Sequence, residues 1–481
     1  MTMTEDAPSA VQDAAGQHPA VQDTAGRNTA GRGAAGREAT RRGTTAQTAG
    51  PEAVRPVPLR RNLRFQLLWG GSAAATLGLH VSDTAYPLLL LAMTGSSTLA
   101  GAFGALQIGA SVLCGVHGGS VADRYDRRRV LIAADSVRLL AALSVPLAMA
   151  LDAFSVVHAL LVAVVIGATI AYSGPARVLA VRSVVAPEQL RQALAQDEAR
   201  MSGAGLAGPP LAGLLLGAGR AVPFLGAALA SLLSLVAACL VRFPRHAGPA
   251  APEEPTATPA TDPPSTDTPS TDTVTGEAAA KDGSGALAGF RHLLADRTLR
   301  ATLAVVFGIN LVGSAVVLPV IVLLRERGVS SGGIGLALAG EAVGALAGAL
   351  LVSRLHRLAG PGALLLAVAW FVVPLFLAPL LPGGAVTVFA ALFLMGLGVP
   401  ALRVMIDILV FQQVAEELRG RVIAATMTLF TVGMPAGLFG SGVLLDHVAP
   451  GTALTVLALL LALGLLPATF DRTLRRAVWP A

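Results

Sequence analysis

Apolar stretches of 18 or more residues recur about a dozen times along this chain, and they constrain its fold more than any other feature. Each is long enough to cross the hydrocarbon layer of a membrane, about 30 Å thick, as a helix of about 20 residues. Backbone N–H and C=O groups find no water in lipid, so only helices and closed barrels span it. The pattern therefore predicts an all-α integral membrane protein with twelve transmembrane helices.

The predicted spans form two sets of six. The first set covers 66–92, 98–118, 130–151, 156–176, 194–218 and 221–242. The second set covers 300–324, 332–353, 361–381, 384–407, 421–445 and 451–470. The sets are similar in length, and VAPEQLR before the fifth span resembles VAEELR before the eleventh. We therefore expect two pseudo-symmetric six-helix bundles built from an internal repeat.

Three polar segments flank these bundles, which we place at 59–243 and 299–470. Residues 1–58 are predicted to form a disordered cytoplasmic tail, and 471–481 a second cytoplasmic tail. Residues 244–298, rich in Pro, Thr and Asp, are predicted to form a disordered cytoplasmic linker that ends in a short amphipathic segment. Such segments bury too little apolar surface to offset the entropy of ordering them.

The arginines predict the orientation. Nearly all of those near span ends lie on one side of the predicted membrane, and basic residues near span ends are retained in the cytoplasm. Both termini are therefore expected to be cytoplasmic, in a multi-pass protein of the cell membrane. The net charge of +6 then needs no nucleic-acid partner, and no aromatic platform for a nucleic acid is visible.

Signals for catalysis, metals and cofactors are missing from the sequence. Cys114 and Cys239 lie in separate spans, and His117 beside Cys114 gives at most two metal ligands. The single lysine, Lys281, does not end a glycine-rich phosphate loop, which argues against a self-powered ATPase. We therefore expect no enzyme activity, no metal and no cofactor. We also expect the protein to work as a monomer.

Charge is densest in GGSVADRYDRRRVL, between the second and third spans. Here the chain resembles the major facilitator superfamily, whose signature at this position is matched by Gly119, Asp123, Arg124, Arg127 and Arg128. Other segments, including LLLLAMTGSSTLAG, GPARVLAVRSVV and QQVAEELRGRV, resemble the twelve-span exporters related to the enterobactin exporter and to macrolide efflux proteins. The resemblance covers about 59–470 and implies transport by alternating access.

The resemblance also implies a conformational latch. In the family, the aspartate of this motif faces the N-terminus of the eleventh helix, whose free N–H groups and positive dipole suit a carboxylate. That role falls to Asp123, with the backbone near Arg421 as its partner. The arginines of the motif then pair with carboxylates and lipid phosphates, or they only fix the orientation. The corresponding loop of the second half has Val352 where Asp123 would align, so the latch is lopsided.

Ionisable side chains within the spans are the candidates for binding protons or substrate. A charge near the centre of a span costs roughly 2.5 to 3.5 kcal/mol on insertion scales, so it needs a reason to persist. His80 and Asp83 are three residues apart on one face of the first span, Asn310 lies in the seventh, and Glu341 lies near the centre of the eighth. For each, a structural hydrogen bond between helices is the alternative role.

Three further sets have predicted roles in the scaffold or in close helix packing. Gly208, Pro209 and Gly213 resemble the glycine and proline motif of exporters, in which glycine lets helices approach closely. Two pairs, Asp135 with Arg138 and Arg403 with Asp407, are spaced to bond along one helix. Asp197, Glu198 and Arg200 predict a solvated or interfacial start to the fifth span.

The sequence therefore predicts a secondary transporter that exports a small, fairly apolar organic molecule, such as an antibiotic, siderophore or related metabolite. Protons are the expected coupling ion. The arginine that many related proton-coupled exporters have in the fourth span is absent, so coupling would use Asp83 and Glu341. Two alternatives stay open. One is an uptake or facilitative carrier of the same fold, and the other is a membrane sensor or scaffold that binds a ligand without moving it.

Overall fold

The computed structural model describes residues 58–241, 297–355, 360–413 and 419–471. The predicted tails and the predicted linker lie almost entirely outside these ranges. The side chains of Arg403 and Asp407 also lie outside the described residues, so their predicted pairing stays a prediction.

Every regular element in the described ranges is a helix. The α-helices of the first half are α1 (Leu63–Thr94), α2 (Ser97–Arg124), α3 (Arg127–Ala150), α4 (Val156–Val184), α5 (Leu190–Ala218) and α6 (Val222–Leu240). Those of the second half are α7 (Arg297–Ala315), α8 (Val317–Glu326), α9 (Ser331–Leu355), α10 (Pro361–Leu375), α11 (Ala385–Gln413), α12 (Arg419–His447) and α13 (Pro450–Phe470). Because α7 and α8 together make the seventh span, the prediction of twelve membrane helices is confirmed.

The helices are long and apolar enough to cross a membrane. Within the described residues, ten helical segments have the length and the apolar composition needed to cross a membrane. The charged and polar residues near the middle of α1, His80 and Asp83 among them, lower its hydropathy, and α1 is not among the ten. The all-α membrane fold follows from these lengths.

Polar caps fix several of the helix ends. The N-terminal N–H groups of a helix have no partner within it, and a preceding Ser, Asn or Asp side chain supplies one. The Asn62 side chain accepts from the N–H of Phe65 at the start of α1, and Asp126 accepts from the N–H of Arg128 at the start of α3, at 2.8 Å. Asp126, within the signature stretch, thus has a local structural role.

The seventh span is broken at Val316, where one continuous helix was expected. Pro319 has no N–H to donate to the carbonyl of Ala315, the residue four positions earlier. The N–H of Val316 instead bonds to the Gly313 carbonyl at 3.4 Å, which tightens the turn. The chain therefore bends beside the central cavity described below.

Both halves are built from the same helix pairs. In the first half α2 packs on α4, α1 on α5 and α6, and α3 on α6. The equivalent contacts in the second half join α9 to α11, α7 to α12 and α13, and α10 to α13. This repetition confirms the predicted pair of pseudo-symmetric bundles. Between the halves, α2 packs on α12 and α5 packs on α9.

Candidate functional site

A cavity of about 690 Å³ lies between the halves. Its wall is mostly aliphatic and aromatic, with side chains from α1 and α2 of the first half and from the helices of the second half. Its polar groups are Asp83, Thr84, Gln107, Asn310, Ser314 and Glu341, and none of its described lining residues is basic. A cavity of this volume can hold a drug-sized ligand. In ligand pockets of this kind the wall is mostly apolar, and a few polar groups orient the ligand.

Asp83 meets the cavity from α1 together with two neighbours. Gln107 of α2 donates a hydrogen bond from Nε2 to Asp83 Oδ1 at 2.8 Å. His80 Nδ1 lies 3.7 Å from Asp83 Oδ2, close enough for an ion pair when the imidazole is protonated. The Asp83 side chain still keeps 38% of its surface exposed, so the carboxylate is accessible from the cavity.

Glu341 meets the same cavity from α9, in the other half. Its side chain is exposed to that space, and no hydrogen bond or ion pair to it is recorded among the described residues. Asn310 lines the cavity from α7, where its amide donates to the Val306 carbonyl one turn earlier at 3.0 Å. The structure thus brings Asp83, Asn310 and Glu341 to one cavity, with the two acids on opposite halves.

The glycine and proline motif of α5 packs against the same part of α1. A Cβ at Gly208 would collide with the Cβ of His80, and a Cβ at Gly213 would collide with the carbonyl of Ser331 on α9. From the α9 side, Gly335 lies against the Pro209 carbonyl. Glycine is therefore needed where α5 fits between α1 of its own half and α9 of the other.

These contacts between the halves lie at one end of the bundle. They involve the C-terminal part of α5, the N-terminal parts of α2 and α9, and the C-terminal part of α12. We call this end the Asp446 face and the opposite end, where α2 gives way to α3, the Asp123 face. The arginines predict that the Asp446 face is the outer one.

Asp446, in the last turn of α12, bonds to the start of α2 across the interface. Its Oδ1 accepts from the N–H of Ser97 at 2.7 Å. Its Oδ2 accepts from the N–H of Thr98 at 3.2 Å and from the hydroxyl of Ser96 at 3.0 Å. A carboxylate of the second half therefore caps a helix of the first half.

At the Asp123 face, the signature residues contact mainly their own half. Arg127 donates to the Leu179 carbonyl of α4 at 3.3 Å, and Arg128 donates to carbonyls of Ala238 and Cys239 in the last turn of α6. The position of Arg128 is favourable because the dipole and the free carbonyls at the C-terminus of a helix favour a cation. These two arginines thus join α3 to α4 and α6.

The remaining signature residues are open to solvent or lipid. Asp123 and Arg124 are exposed, and no hydrogen bond or ion pair to either is recorded among the described residues. A Cβ at Gly119 would meet nothing within 4 Å. The side chains at the start of α12 lie outside the described residues, so the predicted bond between Asp123 and this helix end stays a prediction.

Asp135 lies at the centre of a buried polar cluster between α3, α4 and α6. It is 1% exposed and bonds to Arg138 at 3.2 Å, to Arg177 at 2.9 Å and to the hydroxyl of Ser234 at 2.7 Å. Arg138 also donates to Thr169 and Ser173. Sequence spacing pointed to the Arg138 contact but not to the other helices that complete the cluster.

Arg200 is buried, whereas the start of the fifth span was expected to be solvated or interfacial. It is 9% exposed and pairs with Asp197 at 2.7 Å, while its guanidinium also donates to the carbonyl of Ser72 at 3.0 Å and to the hydroxyl of Thr76. A solvated position was wrong for Arg200 because the carbonyl and hydroxyl groups that accept its hydrogen bonds belong to α1, far away in sequence. Arg200 thus fixes the first half of α5 against α1.

Comparison of the sequence with protein families gives one match to this architecture. Residues 55–260 match the family described as transmembrane secretion effector, MFS_3. A comparison with curated protein sequences gave no match.

Solved structures share the fold over nearly the whole described chain. The nucleoside transporter NupG superposes with a TM-score of 0.63 at 13% identity, covering 85% of this chain and 100% of that one. A D-xylose-proton symporter gives 0.58 at 13% identity, covering 87% and 96%. A bacterial homolog of the human lysosomal transporter Spinster, inward-facing and unoccupied, gives 0.58 at 15% identity, covering 84% and 92%. The chain therefore shares the fold of these transporters, and its first half is similar to the transmembrane secretion effector family.

Proposed function

We propose that this protein exports a small, largely apolar organic molecule from the cell by alternating access, in exchange for protons. The observation that carries the proposal is the cavity between the halves, whose apolar wall includes Asp83 of α1 and Glu341 of α9. An antibiotic, siderophore or related metabolite has the mixed apolar and polar surface that such a wall suits. The match of the first half to a secretion family supports outward transport.

Proton coupling is assigned to Asp83 and Glu341. Carboxylates in a membrane interior are costly and characteristically form proton relays. When the cavity opens to one face, an acid on its wall exchanges protons with that side, and after the halves rearrange it exchanges them with the other. Gln107 and His80 orient Asp83 from neighbouring positions, whereas Glu341 meets the cavity directly.

The orientation and the Asp123 latch belong to the same proposal. With the arginine-rich Asp123 face in the cytoplasm, the contacts of α2 with α12 and of α5 with α9 close the outer face. When the outer face opens, Asp123 bonds to the free N–H groups at the start of α12. Both tails and the linker over 244–298 then lie in the cytoplasm, on the side that holds the arginines.

Accumulation of fluorescent lipophilic dyes and labelled antibiotics in cells tests the proposal. Cells that produce the protein should accumulate less of at least one compound, and a protonophore should abolish the difference. Asp83→Asn and Glu341→Gln should abolish it at equal protein levels, whereas Glu198→Gln, an exposed carboxylate outside the cavity, should not. Greater accumulation in producing cells would indicate an uptake carrier instead. Saturable binding without any change in accumulation would indicate a sensor.

A further inference from the structure

We infer that Asp446 holds the two halves of the transporter together at the Asp446 face, as a helix cap that forms when this face closes and breaks when it opens. The inference concerns the transport cycle itself and not the cargo, the coupling ion or the direction of transport. It assigns to the second half a gating carboxylate that does not lie in the loop where the internal repeat would place one.

The bonding geometry is that of an N-terminal cap supplied from another element. The first four N–H groups of a helix have no partner within it, and Ser97 and Thr98 carry two of those of α2. Both donate to Asp446, which also accepts from the hydroxyl of Ser96. Ser96 meanwhile accepts from the N–H of Leu99 at 3.4 Å, so the local cap and the cap from α12 act together.

Asp446 is poorly placed for its own helix. Asp446 lies in the last turn of α12, which ends at His447. The helix dipole disfavours a negative charge at this end of a helix. Burial raises the pKa of Asp446, but hydrogen bonds from Thr98, Ser97 and Ser96 outweigh that effect and bring the pKa below its ordinary value. The carboxylate is therefore stabilised by the start of α2, in the opposite half, and loses this stabilisation when the halves part.

The helices around Asp446 are packed closely enough to make the cap depend on their separation. A Cβ at Gly442 of α12 would lie 2.5 Å from the Ser97 carbonyl oxygen, and a Cβ at Gly101 of α2 would lie 3.3 Å from the Cα of Gly442. The four ion pairs recorded among the described residues all lie within the first half. None of these four ion pairs joins the halves, whereas the carboxylate of Asp446 bonds from the second half to the first.

Distances between spin labels test the cap without any substrate. In a cysteine-free background, one label pair at Ala153→Cys and Leu381→Cys reports on the Asp446 face, and a second at Glu188→Cys and Arg354→Cys reports on the Asp123 face. All four positions are exposed. The purified full chain is measured in detergent and in lipid nanodiscs by double electron–electron resonance.

Asp446→Ala should lower the ratio of closed to open populations at the Asp446 face by about 2-fold to 30-fold, the range known for removal of a helix cap. The Asp123 face should close in parallel. Asp446→Asn, which keeps an acceptor oxygen, should give a smaller change. Glu326→Gln is the matched control, since Glu326 is an exposed acid at the C-terminal end of α8 on the same face.

Unchanged distance distributions in a folded Asp446→Ala protein would overturn the inference. If that variant does not fold, Ser96→Ala removes a single bond of the same cap and should shift the same ratio in the same direction. Equal shifts for Glu326→Gln and Asp446→Ala would also count against it, since they would indicate a general charge effect at this face. Because the readout is a distance, a failure of the export proposal leaves this test intact.

Discussion

Gly442→Ala tests whether the close contact between α2 and α12 selects the conformation seen here. A Cβ at position 442 would lie 2.5 Å from the Ser97 carbonyl oxygen and 3.0 Å from the Thr98 Cα, whereas real Cβ contacts under 3.0 Å are essentially absent. The helices would therefore have to separate by about 0.5 Å, because closely packed interiors do not absorb such overlap. A displacement of this size would lengthen the 3.2 Å bond from Thr98 to Asp446 beyond hydrogen-bond range.

The expected magnitude follows from the overlap. Added methyl groups in well-packed sites cost about 1 to 3 kcal/mol, which here corresponds to about a 5-fold to 150-fold loss of the state closed at the Asp446 face. Alanine also favours a helix over glycine by up to about 1 kcal/mol, but this gain applies equally to both conformations and cancels.

The assay is the same pair of label distances, measured with Gly440→Ala as the control. Gly440 lies on the same helix two residues earlier, and a Cβ there would meet nothing within 4 Å. Gly442→Ala should shift the Asp446 face towards the longer distance while Gly440→Ala leaves it unchanged. If both variants keep the original distribution, the contact does not select the conformation and the argument from overlap is wrong.

Three further variants test the scaffold around the cavity. Gly208→Ala should reduce transport at least tenfold because its Cβ would collide with that of His80, whereas Gly203→Ala, with open space around it, should transport normally. Asp135→Asn should lower the free energy of unfolding by about 3 to 5 kcal/mol, since it leaves the buried Arg138 and the partly buried Arg177 without their carboxylate partner. A thermal unfolding midpoint equal to that of the unaltered protein would refute this. Arg200→Gln should lower the same midpoint by removing donors to α1, and an unchanged midpoint would return Arg200 to the solvated role.

The sequence predicted the spans well because the cost of exposing a backbone to lipid depends on local composition alone. It predicted some helix ends poorly, since a helix continues past the membrane until a cap or a breaker stops it. The fourth span was expected to end at 176, yet α4 continues to Val184 and stops just before Pro187. The break of the seventh span at Val316 was not predicted, because a proline within an apolar run leaves the hydropathy of that run almost unchanged.

The sequence identified the cavity residues whose charge is costly within an apolar span. It missed residues of types that are common at their positions. Asp83 and Glu341 stand out because a carboxylate in an apolar span needs a reason to persist. Gln107 was missed because it carries no charge. A single amide within the apolar run of α2 could nevertheless have marked it as a cavity residue. Asp446 lies at the end of a span, where acids are common, and its partner Ser96 is 350 positions away in sequence.

Asp446 and Asp123 occupy equivalent places on the two helices that meet between the halves. Each is the last residue but one of its helix, α12 ending at His447 and α2 at Arg124. A helix of 28 residues is about 42 Å long, several times the range of an exposed charge at physiological salt, so the two carboxylates do not sense each other directly. They act on each other only through the positions of α2 and α12. If each caps the other helix in the state closed at its own face, two contributions of about 0.5 to 2 kcal/mol oppose one another. Near-equal opposing caps leave both states populated, which is the condition that alternating access requires.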